Sequence, residues 1–531
     1  MTTEVAAPRA DIDDPPAETS SRGPALLVLV AVILGTGIRI GFLLSHEGAL
    51  DGDEAVTGIM AHRMASSHAF YAFFAGQPYN GAFEQYVQAS LFRVGMPENA
   101  FTLRIPELVL AGLSCWLMYL VGLRLFRSRW HAALASLLFA LGPYFVIWEG
   151  ARSAGGYVSE LVVVLVGVLC AVDADPETLS TRQHRLLFGF GICVGLTYWL
   201  TLSGYYLLVP AALWIVPSVV RSRRSLAAAG GGLIVGLIPI IAWTIDRGRL
   251  PQPNPRRPVT TPLERFGNLT DPIGREFLGV AHLYGRPGWP VAVGRLLVAL
   301  LLVVALAALA LRRRSVWRLV TLRRSRRRPL DIVLLAVPVM LLAYVASSFA
   351  WFTKEPRYLF CGYPVLILGL AALPPLRRTT GLLAALALVA VVGGPSLTLL
   401  ITHADDAPAH RDRDLRRAVA LLRANRTTRV YADYWTAMPL QFVAKDSLTV
   451  GSLSTTARFP SDRQAVDATA SPVWVASRNI NADDITPMRD ALTRAHIGFR
   501  ERRLGGVSLF DRFSRPVRPW QVGIGAVFRP S

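Results

Sequence analysis

Residues 24–44 read PALLVLVAVILGTGIRIGFLL, and shortly after them the chain continues Leu50-Asp51-Gly52-Asp53-Glu54-Ala55. The first stretch is predominantly apolar and long enough to cross a bilayer as a helix. Asp51, Asp53 and Glu54 therefore sit where the chain leaves the hydrocarbon. Charged groups are costly inside lipid, so these acids belong at the interface or in an aqueous cavity. They form either a solvated cluster at a helix end or an acid/base or cation-binding site at the membrane surface.

Similar runs recur along the 531 residues at approximately 103–126, 131–148, 157–172, 186–202, 205–220, 226–246, 291–311, 330–352, 358–376 and 381–402. With 24–44 they make about eleven predicted spans. Mean hydropathy is +0.39 and only 17% of residues are charged, below the roughly 25% of soluble domains. The runs lack strict alternation, which excludes barrel strands and predicts an α-helical polytopic membrane protein. Residues 1–23, acidic and proline-containing, predict a disordered cytoplasmic tail rather than the basic start of a signal peptide. Cys115, Cys170, Cys193 and Cys361 lie within or beside spans, with neither disulfide-framework nor zinc spacing.

The net charge of +20 raises the question of nucleic acid. The arginines fall mostly in short loops, as topology signals do, so no nucleic-acid partner is expected. Arg127 and Arg129, Arg182 and Arg185, Arg221 to Arg224, the run Arg312 to Arg328, and Arg377 and Arg378 all mark one side. That side is cytoplasmic by the positive-inside rule. An odd number of spans then leaves the N-terminus inside and everything after Thr402 outside. The run 312–328 reads as a topology anchor on anionic lipid.

Three outer segments follow. Segment 45–102 contains two stretches, Ala55 to Ala69 and Glu84 to Val94, that predict interfacial helices. Segment 247–290 carries Arg247, Arg249, Arg256, Arg257, Arg265, Arg275 and Arg286 on the side where arginines are scarce. Either lipid phosphate, an anionic acceptor or simple solvation accounts for them. Residues 403–531 predict a small α/β domain: helices at 412–425, 436–444 and 483–496, strands at 429–433, 473–477 and 507–511. The middle portion, 24–402, is the transmembrane domain. No internal repeat or pair of broken helices of the secondary-transporter kind is visible.

The first outer segment also holds Gly76-Gln77-Pro78-Tyr79-Asn80-Gly81-Ala82-Phe83-Glu84, and Leu103-Arg104-Ile105-Pro106 opens the next span. This order resembles the catalytic loop of membrane glycosyltransferases of the GT-C fold. It is most similar to glycosyltransferase family 39 and its RgtA/B/C/D-like relatives, which include protein O-mannosyltransferases and the aminoarabinose transferase of lipid A. Asp53-Glu54 matches the family's acidic pair, Glu84 its later acid, and Arg104-Ile105-Pro106 its Arg-Leu-Pro turn, with Ile for Leu. Gly150-Ala151-Arg152-Ser153-Ala154-Gly155-Gly156-Tyr157, Tyr198-Trp199 to Tyr206, Glu355-Pro356-Arg357-Tyr358 and Val430-Tyr431-Ala432-Asp433-Tyr434-Trp435 resemble later segments.

The resemblance implies an enzyme that transfers a sugar from a polyprenyl-phosphate carrier to an acceptor on a glycan, lipid or protein outside a bacterial plasma membrane. The near absence of lysine beside abundant arginine fits a GC-rich genome. An acceptor hydroxyl is a weak nucleophile, and a carboxylate in hydrogen-bond reach can take its proton. Asp53 is the expected base. A leaving lipid phosphate needs arginine, lysine or a divalent cation such as Mg or Mn. Glu54 and Glu84 either orient the acceptor and the arginines or hold such a cation, with Asp53 and Glu84 as its ligands. Glu84 reads equally as an exposed helix acid. Arg104 and Arg152 are either phosphate contacts or snorkelling anchors. Lys354, Arg357 and Tyr358 at one outer helix end suit phosphate, Tyr157 lies beside the outer turn, and His282 is a further sugar contact. A transporter or flippase of a lipid-linked or anionic solute is the alternative from another class. It would place its charges at mid-span. An inactive scaffold of the same fold is a third.

The arginine distribution predicts sidedness. A cysteine at Ser461 should react with an impermeant thiol reagent in intact cells, and one at Ser325 should not. The reverse labelling pattern would overturn the orientation.

Overall fold

The computed structural model describes residues 22–44, 49–174, 180–251, 261–269, 271–281, 289–323, 328–347, 356–376, 379–402, 409–454, 458–479, 482–483 and 485–525. Most of the expected disordered tail lies outside these residues. The helical part runs α1 (Arg22–Leu44), α2 (Gly52–Ser67), α3 (Phe83–Arg93), α4 (Ala100–Phe126), α5 (Arg129–Ala140), α6 (Tyr144–Glu149), α7 (Tyr157–Asp173), α8 (Thr181–Leu200), α9 (Tyr205–Val219), α10 (Arg223–Gly236), α11 (Ile238–Arg247), α12 (Pro262–Asn268), α13 (Ile273–Phe277), α14 (Val291–Leu311), α15 (Arg313–Val320), α16 (Leu330–Ala346), α17 (Tyr363–Ala371) and α18 (Thr379–Thr402). A 3-10 turn, Pro356–Gly362, leads into α17. Four of these helices are long and apolar enough to cross a membrane alone. The pair α10 and α11, bent by 52°, makes up to five.

The breaks have local causes. The expected run 131–148 is two helices because Pro143 supplies no amide and restrains Gly142 before it. The carbonyls released at the break find donors elsewhere. Arg39 Nη1 of α1 donates to Ala140 O at 3.2 Å, and Ser396 Oγ of α18 donates to Gly142 O at 2.8 Å. Irregular backbone among apolar helices requires such donors.

Helices α8 and α10 touch backbone to backbone. A Cβ on Gly191 would lie 2.2 Å from Ala229 O, and one on Gly232 2.0 Å from Phe188 O. Gly191 and Gly195 on one helix face Gly232 and Gly236 on the other, each pair four residues apart. Small residues at this spacing let helices associate closely where no hydrophobic force separates protein from lipid.

The sheet region follows with α19 (Ala409–Ala424), β1 (Arg429–Ala432), α20 (Tyr434–Ala444), β2 (Thr449–Ser452), α21 (Pro460–Asp467), β3 (Val473–Asn479), β4 (Ala482–Asp483), α22 (Ile485–Arg494), β5 (Arg500–Leu504) and β6 (Val507–Asp511). The strand order is β2-β1-β3-β6-β5, with β4 paired to β3. Strand β1 is parallel to β2 and β3, whereas β6 is antiparallel to β3 and β5. The expected helices and three strands are present. Strand β5, Arg-Glu-Arg-Arg-Leu, has no apolar alternation to betray it. Its charges pair with Asp511 and Arg489 instead, and a charged edge strand resists pairing with another chain.

The sheet region also corrects the expectation of an interfacial helix at Ala55 to Ala69. Helix α2 does not lie on a surface with one apolar face. Residues 54–61 are buried without a break, because α20 covers the helix. A Cβ on Gly58 would lie 2.5 Å from the Phe442 ring. Val56, Ile59, Met60 and Phe442 share one core with Leu415, Val430 and Leu440. Each such buried side chain contributes roughly 1.5–3 kcal/mol relative to exposure.

The glycine contact is testable. Gly232→Val should destabilise the purified protein in detergent by about 1–3 kcal/mol, the usual cost of overpacking, read as a lower unfolding temperature. Gly230→Val, where a Cβ meets nothing within 4 Å, should have little effect.

Candidate active site

Asp51 ends the link from α1 and caps α2: its Oδ1 accepts the backbone N–H of Glu54 at 2.8 Å. The cap turns Asp53 and Glu54 in different directions. Glu54 is fully buried. Arg104 of α4 donates to it twice, Nε to Oε1 at 2.7 Å and Nη2 to Oε2 at 2.6 Å. Arg152, from the turn before α7, donates to Oε2 from Nε at 3.2 Å and Nη2 at 3.0 Å. Arg152 Nη2 also meets Asp51 Oδ2 at 2.8 Å and Ala49 O at 3.2 Å, and its guanidinium stacks over Trp148. Burial alone would raise the Glu54 carboxyl. Arg104 and Arg152 override it and hold the group at about 2. Arg104 and Arg152 are thus sealed into an ion-pair cluster rather than reaching toward headgroups.

Asp53 faces the other way and its side chain keeps 14% exposure. Two parts of the chain remote in sequence meet it. The Tyr434 hydroxyl donates to Asp53 Oδ1, and Arg458 Nη2 lies 3.2 Å from the same oxygen. Arg357 Nη1 stands 3.8 Å from Oδ2. Arg458 is itself fixed, with Nε donating to Tyr434 Oη at 3.2 Å and Nη1 to Ala75 O at 3.3 Å. Desolvation and the Asp53 charge push the Tyr434 hydroxyl well above its usual range, so it remains a donor. Arg357 lies over the Tyr358 ring, and Tyr358 meets Tyr157 edge to face at 6.4 Å. Asp53, Arg357, Tyr358 and Tyr157 are therefore brought together. His282 and Lys354 lie outside the described residues.

Glu84 belongs to a different cluster. It is buried, accepts from Ser159 Oγ at 2.7 Å and interacts electrostatically with a second buried carboxyl, Glu107. Burial raises its carboxyl above the ordinary range. Among the described residues no three His, Cys, Asp or Glu side chains gather into a metal-ligand set. The expected cation between Asp53 and Glu84 does not fit these partners. The Asp53 oxygens already face two guanidiniums and a phenol, and Glu84 faces a hydroxyl and another carboxyl.

Three of the described arginines of segment 247–290 have structural partners, Arg247 pairing with Asp246 at 3.1 Å. Arg275 pairs with Asp271 at 2.8 Å and Arg265 donates to Thr261 O at 3.5 Å. Sequence reasoning missed Arg458 entirely, since no motif surrounds it. Tyr434 lay in a segment noted for its likeness but had no role assigned. Glu160, at the start of α7, was also missed. It accepts from Thr201 Oγ1, Ser203 Oγ, Gly204 N and Cys361 Sγ, which joins the α8–α9 turn to the Pro356–Gly362 segment carrying Arg357.

No family model matches the chain, and no curated protein matches it in sequence. Solved structures match over nearly its whole length. ArnT from Cupriavidus metallidurans bound to undecaprenyl phosphate superposes with a TM-score of 0.60 at 12% identity, covering 92% of this chain and 98% of that one. AglB, the oligosaccharyltransferase of Archaeoglobus fulgidus in complex with an inhibitory peptide and a dolichol-phosphate, superposes with a TM-score of 0.52 at 13% identity, covering 92% and 74%. Both are glycosyltransferases of the GT-C fold, and this chain has that fold.

The buried cluster predicts a pH signature. Glu54 has a depressed folded-state value, so its ion pairs stabilise fully above the ordinary glutamate value of 4.5 and lose that contribution as pH falls toward about 2. Glu54→Gln, which removes the buried anion that Arg104 and Arg152 share, should cost about 3–5 kcal/mol at neutral pH. Chemical unfolding in detergent should show this gap narrowing across the acid range. A constant gap would mean that Glu54 is not the titrating anchor.

Proposed function

We propose that this protein is an integral membrane glycosyltransferase that moves a sugar from a polyprenyl-phosphate carrier to an acceptor hydroxyl on the extracytoplasmic face. The observation that carries the reading is Asp53: a partly exposed carboxylate just beyond the first helix, held between Arg357 and Arg458. The fold shared with ArnT bound to undecaprenyl phosphate supports a lipid-linked donor. In this reading the chain crosses the bacterial plasma membrane about eleven times, with the N-terminus cytoplasmic. The domains run 24–402 in the membrane and 403–531 outside.

The step balances without further reagents. The acceptor oxygen bonds to the anomeric carbon while the bond from that carbon to the phosphate oxygen breaks. The acceptor proton passes to Asp53, and the electron pair leaves with polyprenyl phosphate. Tyr434 and Arg458 hold Oδ1, so Oδ2 is the oxygen that receives the proton. A guanidinium offers a planar fork to a phosphate, and Arg357, on the Oδ2 side, is suited to the developing charge. Glu54, Arg104 and Arg152 act behind this centre by fixing the backbone that carries Asp53. Glu160, ligated by four protein donors, serves as a joint between helices, which favours the enzyme over a transporter with a mobile mid-span charge.

The test is turnover of polyprenyl-phosphate sugars drawn from a membrane lipid extract. Asp53→Asn should lower transfer by roughly 10²–10⁴-fold, the usual worth of a positioned base, with donor binding little changed. Arg357→Ala should instead weaken donor binding. A folded Asp53→Asn protein that transfers sugar at the wild-type rate would remove the base from this mechanism.

A further inference from the structure

We infer that the acceptor is a carbohydrate, one of whose rings stacks on the exposed part of Trp435 so that a rim hydroxyl meets Asp53. The inference rests on the glycosyltransferase reading and narrows its acceptor class.

Trp435 is 40% exposed, yet it is held in place. Its ring meets Tyr434 edge to face at 5.0 Å. A Cβ on Gly52 would lie 3.0 Å from Trp435 Cε3 and 2.9 Å from Tyr434 Cε1, so both rings press on the backbone immediately before Asp53. Asp433 Oδ1 accepts the backbone N–H groups of Trp435 and Thr436 at 2.9 and 3.2 Å, which fixes the chain that carries the ring. A large aromatic surface is thus presented to solvent beside the candidate base, on a side chain with little freedom left to lose on binding.

The neighbouring chemistry selects the ligand. A sugar ring has C–H groups on its face and hydroxyls around its rim. The face fits an aromatic surface, and the rim fits Asp53, the Tyr434 hydroxyl and Arg458, which already form one hydrogen-bonded group. Trp also suits places where one side of a side chain is apolar and the other wet. An acyl chain would need continuous apolar walls here. The ring instead meets Tyr434, whose hydroxyl donates to Asp53, and the Gly52 backbone just before Asp53, while Asp433 holds the backbone of Trp435 itself.

Saturation-transfer NMR without donor tests the inference. The probes are short soluble hexose and pentose oligosaccharides, added to the full-length protein in detergent. At least one should bind the wild type. Trp435→Ala should weaken that binding by roughly three- to tenfold, and Trp435→Phe should retain most of it, which guards against loss through misfolding. In turnover, Trp435→Ala should raise the acceptor KM and leave the donor KM unchanged. No binding by any oligosaccharide, or equal binding by the wild type and Trp435→Ala, would overturn the platform. So would a Trp435→Ala variant whose only change is lost quenching by brominated lipids, since the ring would then be a bilayer anchor. Binding is read without donor, so it is judged separately from transfer: an Asp53→Asn protein that transfers normally sinks the base assignment and leaves this measurement standing.

Discussion

A carboxylate sealed from water between two guanidiniums sets the geometry of this molecule. Removing Glu54, Arg104 and Arg152 from solvent is costly for each group, and only close, multiple hydrogen bonds offset that cost. The bonds join three stretches: the start of α2, the start of α4 and the turn before α7. Once they are joined, the next residue back along α2 has little choice of direction. Asp53 points away from the cluster because Glu54 points into it. A single helical step thus separates a fully buried carboxylate from one that stays partly exposed.

The partly exposed carboxylate is completed from the far end of the chain. Tyr434 and Arg458 reach Asp53 across the seam between α2 and the sheet region, and the same seam buries α2 on the side where lipid or water was expected. The sheet region is therefore part of the site. One of its two apolar cores is continuous with the core around α2, so displacing the sheet would expose Val56, Ile59 and Met60 as well as remove two partners of the carboxylate. Apolar packing holds the lid, and the polar contacts at its edge choose the position of one oxygen.

How much of this was legible in the sequence follows from the range of the interactions. Apolar runs are local, and among the described residues the expected runs fall on helices, on broken pairs at 131–148 and 226–246, and at 358–376 on a 3-10 turn leading into α17. The break at Gly142-Pro143 was not expected in the run 131–148, and its donors, Arg39 and Ser396, come from other helices. Strand β5 was hidden because its pattern is electrostatic rather than alternating. Asp53 drew notice from its place after the first apolar run, and the structure brings Arg357, Tyr434 and Arg458 to it. The roles of Arg104 and Arg152 were not legible, since their partner lies 50 and 98 residues away and an arginine at a helix end looks the same whether it snorkels or pairs inward. Arg458 stands 405 residues from Asp53 with no motif around it, and only the fold brings the two together. Glu84 matched a pattern by spacing, and the structure places it in a separate buried pair with Glu107.

The distance along the chain between Asp53 and its two holders has a consequence for biogenesis. Residues 434 and 458 are made long after residue 53 has been inserted, and after nearly every apolar run has followed it. Until they arrive and fold, α2 lacks its cover and the carboxylate lacks its orientation. A nascent chain thus carries Asp53 before it carries the groups that orient it. Synthesis of these residues and closure of the sheet region over α2 become one event, and only with it does Asp53 gain the two groups that hold its Oδ1.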